Sequence, residues 1–156
     1  MEYVNNLYSN IDSFNKRKLN IEKGFLISYQ ERVDDFFSSS GRIELLGNHT
    51  DHNNGMVLVS AVSLDILAGA KKEKGNYIRI ISDGYPMMHI NINNLSLSQN
   101  EVGKLSAIVK WVLQGFKDRG YKIGAFTCYA TSNIYKGAGI SSSAAYELLI
   151  CEILNY

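Results

Sequence analysis

The sequence predicts an α+β domain in which a mixed or antiparallel sheet packs against helices. Three patterns carry that expectation. Short β-favouring runs broken by Gly, Asn and Asp fill residues 36–93, an amphipathic stripe covers 103–119, and a further strand and helix close the chain. A chain of 156 residues suits one domain, since a domain of this size hides roughly two-thirds of the surface that its unfolded chain exposes.

Taken in order, residues 2–36 place Tyr8, Ile11, Phe14, Phe25, Ile27, Tyr29 and Val33 at partly helical spacings, which predicts one or two N-terminal helices. From Phe36 the period changes. Runs at 36–40, 62–70, 77–82 and 89–93 alternate with the turn signals Asn53-Asn54-Gly55, Lys74-Gly75-Asn76 and Asp83-Gly84, as strands of a sheet do. Leu105, Ile108, Val109, Val112 and Phe116 then form an i, i+3, i+4 stripe, with Gly120 where a helix C-terminus expects glycine. A strand is expected over 123–131, a Gly-Ser loop over 137–143, and a helix from about Ser142. Leu148, Leu149, Cys151, Ile153 and Leu154 keep that last helical pattern alive to Tyr156, so the chain is expected to be a truncated product.

Composition excludes more than it identifies. With 46% hydrophobic and 20% charged residues and a net charge of +1, nothing favours nucleic acid or an anionic membrane as partner. The N-terminus lacks a basic segment followed by an apolar one, and no run approaches the roughly 18 apolar residues of a spanning helix. Cys128 and Cys151 lie in apolar surroundings without C-x-x-C or Cys/His spacing, which predicts free thiols and a cytoplasmic protein.

Two segments carry chemistry. Residues 134–147, IYKGAGISSSAAYE, lead a strand into Gly137-Ala138-Gly139, three serines and a helix. Glycines let backbone N–H groups approach an oxyanion, serine hydroxyls add donors, and a helix N-terminus adds unpaired N–H groups with partial positive charge. Alone, a Gly-x-Gly reads more readily as a flexible turn after which Ser141 or Ser142 caps a helix. No G-x-x-x-x-G-K-[ST] occurs, and the third glycine of a dinucleotide fingerprint is missing.

The second segment, residues 41–55, reads GRIELLGNHTDHNNG and gathers Arg42, Glu44, Asn48, His49, Asp51, His52 and Asn53. These donors and acceptors suit a polyhydroxylated ligand, and an arginine can stabilise anionic charge. A polar strand and turn closed by Asn53-Asn54-Gly55 is the plain alternative. His49, Asp51 and His52 lack the helical spacing that makes zinc ligands converge, so zinc is set aside.

Residues 134–147 resemble the second signature of the GHMP kinases, with Ile140 for leucine and Tyr135 where proline is usual. Residues 41–55 resemble the galactokinase signature G-R-x-N-L-I-G-E-H-T-D-Y-N-x-G more specifically, matching at Gly41, Arg42, Gly47, His49, Thr50, Asp51, Asn53 and Gly55. Asn48 replaces glutamate, His52 tyrosine, Glu44 asparagine, and Ser40 a preceding proline. The resemblance covers residues 36–156 and implies the N-terminal GHMP kinase domain, a fold like domain 2 of ribosomal protein S5. Residues 1–35 form a helical segment ahead of a sugar- and ATP-phosphate-binding core at 36–156.

The same resemblance implies transfer of a phosphoryl group from ATP, with Mg2+, to the anomeric hydroxyl of a sugar. Galactose is favoured, although an amide at Asn48 donates as well as accepts and leaves the sugar open. Arg42 is expected to stabilise charge, Asn48, His49 and Asp51 to bind sugar, and Gly137, Gly139, Ser141, Ser142 and Ser143 to hold phosphates, with Ser142 facing magnesium. The family's aspartate base and acidic magnesium ligand lie beyond its second signature, past Tyr156 here. The isolated chain is therefore expected to be inactive or nearly so, and to self-associate over exposed apolar surface. Two other readings remain at this stage: a silent sugar and ATP sensor, and a domain with a purely structural or interaction role.

Overall fold

The computed structural model describes residues 8, 10–47, 50, 53–135 and 139–156. Among these residues there are three α-helices, α1 (Ile11–Tyr29), α2 (Leu105–Asp118) and α3 (Ser142–Asn155). Five strands, β1 (Asp35–Leu46), β2 (Leu58–Glu73), β3 (Tyr77–Ser82), β4 (Met88–Asn91) and β5 (Ala125–Ser132), make one sheet in the order β1-β2-β5-β3-β4. All neighbours are antiparallel except β3 and β5, so the sheet is mixed and the fold is α+β.

Among the described residues, the N-terminal segment forms the helix α1. Asn10 caps it by accepting from the Ser13 N–H at 2.9 Å, and Gln30, at φ 57°, ends it by donating its N–H to the Leu26 carbonyl. Gly24 is required where α1 lies on β5, because a Cβ there would sit 2.4 Å from the Tyr129 ring. Side chains alternate across the sheet. Ile66, Ala68 and Ala70 of β2 join Ile78, Ile80, Phe126, Cys128 and Ala130 in the core beneath α2 and α3, while Gly69 turns towards Ile21 of α1. The sheet is thus covered on both faces, by α1 on one and by α2 and α3 on the other.

β1 extends beyond the run at 36–40 to Leu46, as the polar strand of the plain alternative at 41–55 requires, because residues 42–46 find antiparallel partners at 58–61 across register shifts at Gly41 and Leu45. β5 lies between β2 and β3, so the strands joined by the turn at 74–76 are not neighbours in the sheet. β5 pairs with β2 only from Ile66 to Glu73. Beyond Asp65, therefore, β1 and β2 continue as a two-stranded arm over residues 41–46 and 58–64.

Candidate functional site

The arm and the Gly-Ser loop meet at one seam. The Arg42 N–H donates to the Ile140 carbonyl at 3.2 Å, a bond that β1 directs outside its own ladder. Gly41 makes this approach feasible: a Cβ there would come within 2.9 Å of the Ile140 oxygen and 3.3 Å of both Ile134 and Val62. Gly41 and Ile134 are buried, so the seam is dry as well as close. Arg42 itself is half-buried on β1, opposite Ala61.

The connection at the tip of the arm is tight. The Thr50 carbonyl accepts from the N–H groups of Asn53 at 3.0 Å and Gly55 at 2.8 Å, and Asn54 holds φ at 61°. A Cβ on Gly55 would sit 2.4 Å from the Thr50 hydroxyl. Asn48, His49 and Asp51 lie outside the described residues, as does Gly137.

At the other side of the seam, Gly139 at φ 71° and Ser141 at φ 58° bend the chain into α3, which starts at Ser142. Left-handed backbone is strained for a serine and marks a constrained loop. Ser141 makes no side-chain capping bond, so its own hydroxyl does not occupy the first-turn N–H groups of α3. Ser142 and Ser143 are exposed, and the space beside the Gly139 Cα is open. An uncapped helix start with exposed hydroxyls and open space fits an anion such as a phosphate.

No group of three or more His, Cys, Asp or Glu side chains able to hold a metal occurs among the described residues. Ser142 is therefore a single oxygen donor, and a hard cation there would need carboxylate or phosphate oxygens from elsewhere. Both cysteines are free, and burial raises the Cys128 thiol to about 12, which makes it an inert core side chain. No described helix is long and apolar enough to cross a membrane. A groove of 780 Å³ runs along α2 and the flank of α3, lined by Trp111, Phe116, Tyr121 and Cys151 among others, and includes none of the sequence-predicted site residues.

Sequence reasoning missed Asp65, Arg17 and Ser38. The Asp65 carboxylate is buried and accepts from Tyr8, Arg17 and Ser38 at the root of the arm. The one available signal was an aspartate inside the apolar run Leu64-Asp65-Ile66-Leu67, since an acid within a strand that reads as buried requires partners.

Residues 23–72 match the family model for the galactokinase galactose-binding signature. Galactokinase from Clostridium tetani is 33% identical over 135 residues, 86% of this chain and 34% of its own length. Galactokinase from Fusobacterium nucleatum is 35% identical over 142 residues, 87% of this chain and 36% of its own length. The chain thus spans about a third of the curated relatives it matches. The structure of Lactococcus lactis galactokinase complexed with galactose superposes with a TM-score of 0.78 at 25% identity, over 87% of this chain and 36% of that one. Methanococcus jannaschii mevalonate kinase shares the fold, with a TM-score of 0.62 at 14% identity over 78% of this chain and 39% of its own. In sequence and in fold, the chain is similar to the N-terminal portion of galactokinases, and it shares its fold with a mevalonate kinase.

Proposed function

We propose that this chain carries the sugar-binding and phosphate-binding portion of an ATP-dependent sugar 1-kinase that converts galactose and ATP to galactose 1-phosphate and ADP. The observation that carries the reading is the bond from the Arg42 N–H to the Ile140 carbonyl across Gly41, which places the start of the sugar signature against the Gly-Ser loop. Phosphoryl transfer depends mainly on positioning and charge stabilisation, so acceptor and donor sites must adjoin.

In this reading residues 36–156 form the binding core. Asn48, His49 and Asp51 hydrogen-bond the sugar, and the Arg42 guanidinium stabilises charge near the attacking oxygen. Gly139, Ser141, Ser142 and Ser143, with Gly137, receive the phosphates at the open start of α3. Ser142 is the hydroxyl that would contact Mg2+, which when bound neutralises charge on the phosphate oxygens. In the transfer, the anomeric oxygen forms a bond to the γ-phosphorus, the bond to the ADP oxygen breaks, and the hydroxyl proton passes to a carboxylate base. Free thiols and ATP chemistry together suit the cytoplasm.

The chain spans about a third of its relatives, so ligand binding without turnover is the expected behaviour of these 156 residues. Losing a general base alone commonly costs about two to four orders of magnitude in rate. The test pairs calorimetric titrations of galactose and ATP with a coupled ADP-release assay, with glucose as the control sugar. Saturable galactose binding with ADP release at background supports the proposal. No binding of either ligand overturns it, and galactose-dependent ADP release would place the base within these residues, with Asp51 the first to replace.

A further inference from the structure

We propose that Asp65, gripped by Arg17, is a positioning residue that fixes the arm bearing the sugar signature against the Gly-Ser loop; this rests on the kinase reading above. The argument begins where the sheet narrows. β5 pairs with β2 no further than Ile66, and the β1–β2 ladder loses register between Ser40 and Arg42. Asp65, opposite Ser40, is therefore the residue at which a three-stranded body becomes a two-stranded arm. Isolated two-stranded ribbons are marginal in water, so the arm's direction depends on what holds its root.

Asp65 is tied to three elements at that point. Its carboxylate accepts from Arg17 Nη1 of α1 at 2.5 Å, from the Tyr8 hydroxyl at 2.5 Å and from Ser38 Oγ of β1 at 2.8 Å. The second Arg17 nitrogen, Nη2, reaches the Thr131 carbonyl of β5 at 3.3 Å. The Asp65 carbonyl accepts from the Asn133 N–H at 3.0 Å, and Asn133 immediately precedes Ile134, the residue packed against Gly41. One buried aspartate thus holds α1, β1 and the strand running into the phosphate loop, while the Gly41–Ile140 contact holds the opposite face of the arm.

A charged fork suits this task. Arg17 spans the Asp65 carboxylate and the Thr131 carbonyl at once, which the single ammonium of a lysine does not reproduce. Asp65, Arg17 and Ser38 lie outside the polar motif at residues 41–55 and are none of the residues proposed to bind ligand, so the clasp acts through the arm.

The test is amide hydrogen exchange on the 156-residue chain and its Asp65→Asn variant. The Arg42 and Asn133 N–H groups report the two sides of the seam, and those of Val109 and Leu113 in α2 report the distant core. A positioning role predicts exchange at Arg42 and Asn133 faster by about tenfold or more, with Val109 and Leu113 unchanged. Uniform acceleration means that Asp65 supplies only general stability, and unchanged exchange means that it holds nothing; either result overturns the proposal. If Asp65→Asn does not fold, Arg17→Lys is read in the same way, because it keeps the charge but not the fork. A galactose titration of the parent chain, followed by amide shifts, is read separately. A parent that does not respond to galactose overturns the kinase reading, while the exchange pattern still decides whether Asp65 fixes the arm.

Discussion

The two halves of β2 occupy different surroundings although they form one strand. From Ile66 to Glu73 the strand lies between β1 and β5, and residues 65–70 are buried in succession. From Leu58 to Leu64 it has β1 alone, and the arm and its tip expose Met56 at 93%, Leu46 at 68% and Leu58 at 52%. The residue types differ little. What differs is the number of layers available to cover them: the body has helices on both faces, and the arm is held at its root. Stability is thus concentrated in the body, while the segment resembling a sugar site is borne by the less supported part.

The largest effect expected from this contrast comes from Leu113 of α2, which is fully buried in the body. Leu113→Ala should cost about 2–5 kcal/mol in denaturant unfolding, since it removes transfer free energy and leaves a cavity. Met56→Ala, at the exposed tip of the arm, should stay within about 0.5 kcal/mol. Equal losses at the two positions would break the comparison.

Gly41→Ala probes the seam between the regions. The added methyl would meet the Ile140 carbonyl at 2.9 Å, a backbone atom that cannot rotate aside. Overpacking of this kind costs about 1–3 kcal/mol. The Arg42 N–H, which donates to that carbonyl, should also lose protection in hydrogen exchange. Stability and Arg42 protection both at parental values would show that the arm and loop adapt freely and that the seam sets nothing.

The same division explains what the sequence revealed. Local patterns were legible in the body: the run at 77–82 is β3, and the stripe at 103–119 contains α2. Ending β1 near Ser40 failed because Arg42 and Glu44 are polar, and their strand conformation comes from pairing with residues 59–61 rather than from their own preference. The insertion of β5 between β2 and β3 depends on contacts distant in sequence, which no local pattern encodes. At the candidate site, the Gly-Ser motif located the turn into α3 because glycine and serine serve such a bend directly. The Asp65 clasp was hidden because its partners are 27 to 57 residues away.

A smaller effect should appear at alkaline pH at the arm's root. Burial first, and then the bond to Asp65, raise the Tyr8 hydroxyl from 10 to about 12. The folded state holds this proton more tightly than the unfolded chain, so its contribution is complete below pH 10 and is lost as pH rises through about 12. Tyr8→Phe should flatten that part of the alkaline limb and remove one hydrogen bond, worth about 1 kcal/mol at neutral pH. An alkaline melting profile identical to the parent's would mean that the tyrosine does not hold the root.

The smallest effect concerns Glu101, which offers a control for Asp65 because each carboxylate accepts from three donors. Glu101 receives Lys110 Nζ at 2.8 Å, the Ser98 N–H at 3.0 Å and Ser98 Oγ at 2.9 Å, at the rim of the body ahead of α2. The Lys110 bond first, and then those of Ser98, lower its carboxyl from 4.5 to about 2. The sign is that of a depressed acid: the contribution is complete above pH 4.5 and is lost as pH falls through about 2. Glu101→Gln should therefore flatten the acid limb of a melting-temperature profile and change less at pH 7, since this ion pair is only half-buried and water reaches part of its bonds. Asp65→Asn, with the same number of donors but in a buried setting, should lower the melting temperature at pH 7 as well, because water cannot replace the bonds it disturbs. If Glu101→Gln proved as costly as Asp65→Asn at neutral pH, burial would not be what separates the two clasps, and the root of the arm would have no greater claim to holding the fold than a half-buried turn at the rim.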